Sequence, residues 1–263
     1  MRLQSLGLSS DISLLDAEVL DRGEYLVVRS PKEQGFYWGN LLVFSGPPTA
    51  GARPLWEELF AKEFADLPGV LHQTFAWDIG GTTPSLASFV EAGYQQENTV
   101  VLTASAVHPP RYPNAQVELR VLSTDAEWAD VAELQWQTRE PEHEAEGYRN
   151  FVQARLAALR SRVNAGQGEW YGAYLGGEQI ASLGVFRSGA SARFQIVVTA
   201  EKARRQGVCG TLVHHASVQA LAHPTTEKLI MVADTEYHAA RIYESVGFSP
   251  AESLVGLCRW PQA

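Results

Sequence analysis

The segment Arg204-Arg-Gln-Gly-Val-Cys-Gly210 follows the apolar run Phe194 to Val198 and leads directly into a helix-like stretch. The chain must therefore pass from a strand, through a turn containing glycine, to a helix start, which is an α/β arrangement. A helix entered in this way leaves its first N–H groups unpaired, and those groups, with the positive helix end, favour phosphate oxygens. Gly207 and Gly210 allow the backbone to come close to a ligand. Arg204 and Arg205 place guanidinium groups at the rim, where they can pair phosphate oxygens. The implied ligand is a phosphorylated cofactor.

Spacing narrows the choice of cofactor. The glycines are not followed by Lys and Ser/Thr, so a Walker loop is excluded. A dinucleotide loop would follow the first strand of a βαβ unit and would carry an acidic residue about 20 positions onward; this loop lies late in the chain. The remaining pattern, Arg/Gln-x-x-Gly-x-Gly/Ala on a strand-to-helix turn, is one used for coenzyme A. The run Val197-Val-Thr-Ala-Glu-Lys-Ala-Arg-Arg-Gln-Gly-Val-Cys-Gly-Thr-Leu212 resembles the GNAT superfamily of acyl-CoA-dependent N-acyltransferases, with Cys209 standing where Gly or Ala is usual. Downstream, the strand-like run Lys228 to Asp234 precedes Glu236-Tyr-His-Ala-Ala-Arg-Ile-Tyr-Glu-Ser-Val-Gly-Phe248. This segment is similar to the family's Asn-x-x-Ala-x-x-x-Tyr-x-x-x-Gly-Phe, through Glu236 (in place of Asn), Ala239, Tyr243, Gly247 and Phe248. Physically, Ala239 to Val246 forms a short helix, Gly247 a left-handed stop and Phe248 the return to the sheet.

The resemblance implies acetyl-CoA as acyl donor and direct attack by an amine, so that positioning is the main catalytic contribution. Arg204, Arg205, Gln206, Gly207, Val208, Cys209, Gly210 and Thr211 would then hold the pyrophosphate. The edge at Val197, Val198 and Thr199, splayed from its neighbour, would bond the pantetheine amides and the thioester oxygen. Tyr243, near the start of its helix, is the candidate general acid for the departing sulfur; its alternative is an aromatic packed on the sheet. The base stays open among Glu236, Asp234, His238, Gln195, Glu169 and a water chain. Cys209, in a first helical turn beside two arginines, is expected either to have a lowered pKa or to act as a small spacer against the cofactor. His214 and His215 point about 100° apart on a helix and cannot serve one metal, so no metal is expected. The acidic segment Glu140 to Glu146, with His143, reads as a solvated loop able to attract an amine, and Phe36-Tyr37-Trp38 as core or turn packing, with a substrate-pocket role left open.

Other features set the organisation. The chain has 263 residues, 45% of them hydrophobic, which suits two domains with real cores. The prolines of His108-Pro-Pro-Arg-Tyr-Pro-Asn114 suggest an extended connector, dividing the chain into 1–107 and 115–263. Phe89-Val-Glu-Ala-Gly-Tyr94 parallels Tyr243-Glu-Ser-Val-Gly-Phe248, so the first half reads as a worn copy of the second. At the position of the phosphate loop it has Ser45-Gly-Pro-Pro-Thr, whose prolines lack the needed N–H donors. The expected fold is α/β (α+β), two GNAT-like domains, each a mixed, mostly antiparallel sheet flanked by helices. A formal charge of −9 and a pI near 5.3 argue against nucleic acid and anionic membrane as partners. Two cysteines, Cys209 and Cys258, and the lack of an export signal in Met1 to Asp16 suggest the cytoplasm. The expected function is N-acetylation of a small amine or a peptide amino terminus, with a homodimer left open; the rival is a non-catalytic acyl-CoA-binding sensor or partner-binding module.

Overall fold

The computed structural model of the chain describes residues 1–78, 84–139, 145–235 and 239–260. In chain order, the elements are α1 (Leu6–Ser9), α2 (Ile12–Asp16), β1 (Glu18–Asp21), β2 (Tyr25–Arg29), β3 (Leu41–Phe44), α3 (Ala52–Glu63), β4 (Gln73–Trp77), α4 (Ala87–Glu91) and β5 (Gln95–Ala104). There follow β6 (Glu118–Val121), α5 (Asp125–Gln137), α6 (Ala145–Asn164), β7 (Gly168–Leu175), β8 (Glu178–Ser188), β9 (Ser191–Thr199), α7 (Val208–Leu221), β10 (Lys228–Asp234), α8 (Ala239–Glu244) and β11 (Ser249–Arg259). The result is a mixed α/β fold with helices flanking mixed sheets.

Two compact units form: Met1–Val101, Asp234–Glu236 and Glu252–Ala263 make the first, and Leu102–Ala233 with Tyr237–Ala251 the second. This partition differs from a continuous split at residues 107 and 115. The proline-rich segment 108–114 lies inside the second unit, and the closing strand of the chain serves the first.

In the first unit the strand order is β1-β2-β3-β4-β11-β5. Leu41–Phe44 are buried throughout, as the middle strands of a sheet covered on both faces should be. Phe44 stacks on Trp56 of α3 with ring centroids 3.7 Å apart, and Phe75 and Phe89 are fully buried beside them. Gly256–Arg259 of β11 run antiparallel to Ala76–Gln73 of β4. The upper end of β11 is held by Glu252, whose carboxylate accepts from Ser5 Oγ at 2.9 Å, from Leu6 N at 2.8 Å and from Gly7 N at 3.2 Å. Glu63 is buried against Arg22 and the Tyr25 hydroxyl, and the Arg22 guanidinium holds its carboxyl below the usual range.

The second unit has the order β10-β9-β8-β7-β6. Gly176 and Gly177 take φ of +60° and +86°, successive left-handed residues that suit the twist of a two-residue hairpin between β7 and β8. Trp170 of β7 meets Trp128 of α5 at 5.3 Å, whereas its neighbour Tyr171 meets His215 of α7 at 5.9 Å. Successive strand residues point to opposite faces, so α5 covers one face of this sheet and α7 the other. Thr124 and Glu127 form a reciprocal capping box at the start of α5.

The two units share a local plan. In each, a strand leads to a helix capped by a left-handed glycine, Gly51 at φ +83° before α3 and Gly207 at φ +77° before α7. A parallel strand follows, β4 beside β3 and β10 beside β9. Each next helix closes alike: Ala92 N and Tyr94 N donate to Phe89 O, with Gly93 at φ +86°, and Val246 N and Phe248 N donate to Tyr243 O, with Gly247 at φ +112°.

His72 is buried in the first unit with Nε2 3.1 Å from Asn40 O, and burial pulls its pKa from 6.5 down to about 4. The unfolded chain therefore binds a proton between these values while the folded chain does not. Stability should be full above pH 6.5 and fall by up to about 3 kcal/mol as the pH drops towards 4. Denaturant unfolding from pH 7 to pH 4.5 measures this slope, which should flatten in His72→Gln; identical slopes would mean that His72 titrates normally.

Candidate active site

The site is built around β9. Its pairing with β10 covers only Ser191, Ala192 and Arg193, opposite Lys228, Leu229 and Ile230. Beyond Arg193 the two strands separate. On its other side, β9 stays paired with β8, but Ser182 faces Val198 whereas Gly184 faces Gln195. One more residue is used on β9 than on β8, so the strand carries a bulge. Ile196 lies in it with φ +46°, a conformation that costs a β-branched residue on the order of 1–3 kcal/mol and persists only where the surroundings fix it. A bulge bends its strand and increases its twist. Among the described residues, the β10 side of Val197, Val198 and Thr199 therefore has no strand partner, and all three are half-buried.

After Thr199 the chain makes a short 3-10 turn over Glu201–Ala203, and Arg205 takes φ +60°. Gly207 then caps α7 without a side-chain capping bond. Two constraints make Gly207 a glycine: its positive φ, and the Tyr112 carbonyl oxygen, which lies 2.2 Å from the place of a Cβ. Gly210 is less constrained, since its Cβ would meet Pro110 at 3.2 Å. Arg204, Arg205 and Gln206 are exposed at the rim, whereas Val208 is buried and offers only its backbone. Thr211 Oγ1 donates to Gly207 O at 2.9 Å and accepts from Asn114 N at 2.8 Å. Its proton is therefore committed to the loop itself.

Cys209 is a free, half-buried thiol in the first turn of α7. Burial pushes its thiol up to about 11, with a smaller opposing effect from a hydrogen bond to Thr199. The lowered pKa expected beside two arginines is not found, because desolvation outweighs the charges of side chains that extend into solvent.

Tyr243 is buried at the next-to-last position of α8, not near its start. Its ring lies 6.4 Å from that of Phe248, which in turn meets Phe194 of β9 edge-on at 5.8 Å. Tyr243 is thus packed on the α7 face of the sheet. Of the candidate bases, Glu169 is ion-paired with Arg187 at 2.6 Å, Gln195 sits at the bulge, and Asp234 is exposed at the end of β10. Glu236 and His238 lie outside the described residues, as do residues 140–144 of the acidic segment. His214 and His215 both have pKa values lowered by burial, and no cluster of three metal-ligating side chains occurs among the described residues. Tyr37 packs edge-on against His72 and Trp260 in the first unit.

The Ile196 bulge could not be read from the sequence, because a β-branched residue is the type least expected at positive φ. Asn114 was also hidden, since the prolines before it suggested a connector with no role in the loop.

Residues 139–255 match a family model described as an acetyltransferase (GNAT) domain. No curated protein matches the sequence. A functionally unknown conserved protein from Staphylococcus epidermidis has a similar structure, with a TM-score of 0.79 and 15% identity over 98% of this chain and 99% of that one. A GCN5-related N-acetyltransferase from Kribbella flavida gives 0.64 and 16% over 95% and 92%. A tandem GNAT protein from the clavulanic acid biosynthesis pathway gives 0.54 and 19% over 80% and 70%. These identities speak for fold alone. The family match is thus confined to residues 139–255, in the second part of the chain. No helix among the described residues is long and apolar enough to cross a membrane.

With its thiol raised to about 11, native Cys209 should react with iodoacetamide at pH 8 about a hundredfold more slowly than a cysteine in the unfolded chain, because only the thiolate attacks. Mass-spectrometric alkylation rates in native and denatured protein give the comparison, and similar rates would mean an activated thiol.

Proposed function

We propose that this protein transfers an acetyl group from acetyl-CoA to a primary amine of a small molecule or of a peptide amino terminus. The observation that carries the reading is the separation of β9 from β10 at a strained bulge, immediately before a helix start capped by Gly207. The unpaired edge offers backbone groups to a chain of amides, and the helix start offers N–H groups to phosphate. Arg204 and Arg205 add charge at the same rim. These donors fit coenzyme A, with its pantetheine amides followed by a pyrophosphate.

Acetyl-CoA supplies the activated acyl carbon. In this reading Gly207, Val208, Cys209 and Gly210 hold the pyrophosphate through their backbone, and Val197 to Thr199 fix the pantetheine arm and the thioester oxygen. The amine nitrogen attacks the thioester carbon, the new C–N bond forms, and the C–S bond breaks. The Tyr243 hydroxyl gives its proton to the departing sulfur and is reprotonated from solvent, and the amine's surplus proton passes to solvent. Placement of the reactants is the larger contribution, and protonation of the leaving group adds on the order of a hundredfold or more. The first unit repeats the strand, left-handed glycine and helix of the second but has Pro47 and Pro48 before its helix. We read it as a degenerate second copy without a donor site.

Calorimetric titration with acetyl-CoA should find one site per chain, weakened about tenfold to a hundredfold when Arg204→Ala and Arg205→Ala are combined. Absence of binding would remove the reading. With an acceptor identified by amine screening, Tyr243→Phe should lower kcat about a hundredfold; a loss under about threefold would leave Tyr243 a packing residue, and binding without turnover on any amine would favour a sensor.

A further inference from the structure

The segment 108–114 does more than connect. His108 N donates to Val246 O at 3.1 Å, and Pro110 lies against Gly210 and the Tyr112 carbonyl against Gly207. Asn114 makes three bonds at once. Its Nδ2 donates to Gln206 O at 2.9 Å, its Oδ1 accepts from Gln116 N at 2.9 Å, and its backbone N donates to Thr211 Oγ1 at 2.8 Å. The same threonine hydroxyl donates to Gly207 O at 2.9 Å.

These bonds fix two successive peptide planes. Among the described residues there are no cis peptide bonds, and in a trans unit the C=O and N–H point in opposite directions. Tying Gln206 O to Asn114 therefore turns Gly207 N–H the other way. Tying Gly207 O to Thr211 does the same for Val208 N–H. The loop does not hold this shape by preference, since Arg205 is a non-glycine residue at φ +60° and such conformations last only where neighbours over-determine them. Gln206 Nε2, bonded to Lys202 O at 2.7 Å, closes the loop from the other side.

We propose that Asn114 is a positioning residue for the donor pyrophosphate, aiming the Gly207 and Val208 N–H groups at it through Gln206 and Thr211. The inference rests on the coenzyme A reading above. It makes the proline-rich segment part of the donor site, although it touches no substrate.

The test is acetyl-CoA affinity by calorimetry beside the thermal midpoint of the ligand-free protein, in the full chain. Asn114→Ala should bind acetyl-CoA about tenfold more weakly, the worth of one ordering hydrogen bond, with a ligand-free midpoint close to that of the unaltered protein. Asn114→Asp, which keeps the bond to Gln116 N but has no donor for Gln206 O, should bind at least as weakly. Thr211→Val, which removes the relay hydroxyl at constant shape, should follow Asn114→Ala, and Thr211→Ser should restore affinity. Unchanged affinity in Asn114→Ala and Thr211→Val would overturn the proposal, as would a loss in affinity accompanied by an equal loss of ligand-free stability in all four variants. Failure of the unaltered protein to bind acetyl-CoA would instead overturn the donor-site reading beneath it.

Discussion

One extra residue in β9 governs the second unit. Without the bulge at Ile196, β9 and β10 could stay hydrogen-bonded along their length, as parallel neighbours normally do. With it, the pairing stops at Arg193 and a row of main-chain donors and acceptors is left facing a gap. Backbone polar groups that are half-buried and unpaired are costly. Here that cost is concentrated beside a helix start that also lacks a capping side chain. Strain at Ile196 and Arg205 and unsatisfied donors along the strand and helix start thus occur within one short stretch of chain. In the proposed complex, the amides and phosphates of the acyl donor would meet these groups together.

The fold was largely legible because its signals are local. The apolar run 228–234, read as a strand, is one at those residues. Gly207 could be placed at the helix start from its position alone, and its left-handed φ agrees. What escaped was long-range. Nothing in Ser249–Arg259 announces that Gly256 to Arg259 pair with β4 in the unit formed by the beginning of the chain. Nor does a proline-rich stretch reveal that its carbonyls and its terminal Asn114 pack on a loop about ninety residues away in sequence, a separation of 92 for the bond to Gln206. β1 and β2 were also missed, the first because its residues are mostly exposed and give no apolar pattern.

The candidate site was legible in a different sense. Motif spacing located the loop, but the chemistry of individual side chains needed the packing. Cys209 beside two arginines left an activated thiol and a small spacer both open, and desolvation raises the pKa of the half-buried thiol. Tyr243 seemed to belong to the start of a helix, and packing places it at the end, against Phe248. Thr211 looked like a phosphate ligand, although its proton already serves Gly207. Each difference has one cause: a sequence gives neighbours along the chain, while solvation and hydrogen-bond partners come from segments far away.

The placement of β11 has a consequence for how the molecule is made. Glu252 closes bonds to Ser5 across 247 positions of sequence, and β11 lies between β4 and β5 in the strand order. A ribosome that has released the first hundred residues has therefore delivered a sheet with an empty slot in its middle. That early segment must wait, with open strand edges, until residues 249–259 have emerged. Contacts of such separation slow folding and lengthen exposure to other unfinished chains. The aromatic stack of Phe44 on Trp56 and the short, local crossover from β3 to β4 give the waiting segment a core that needs no distant partner.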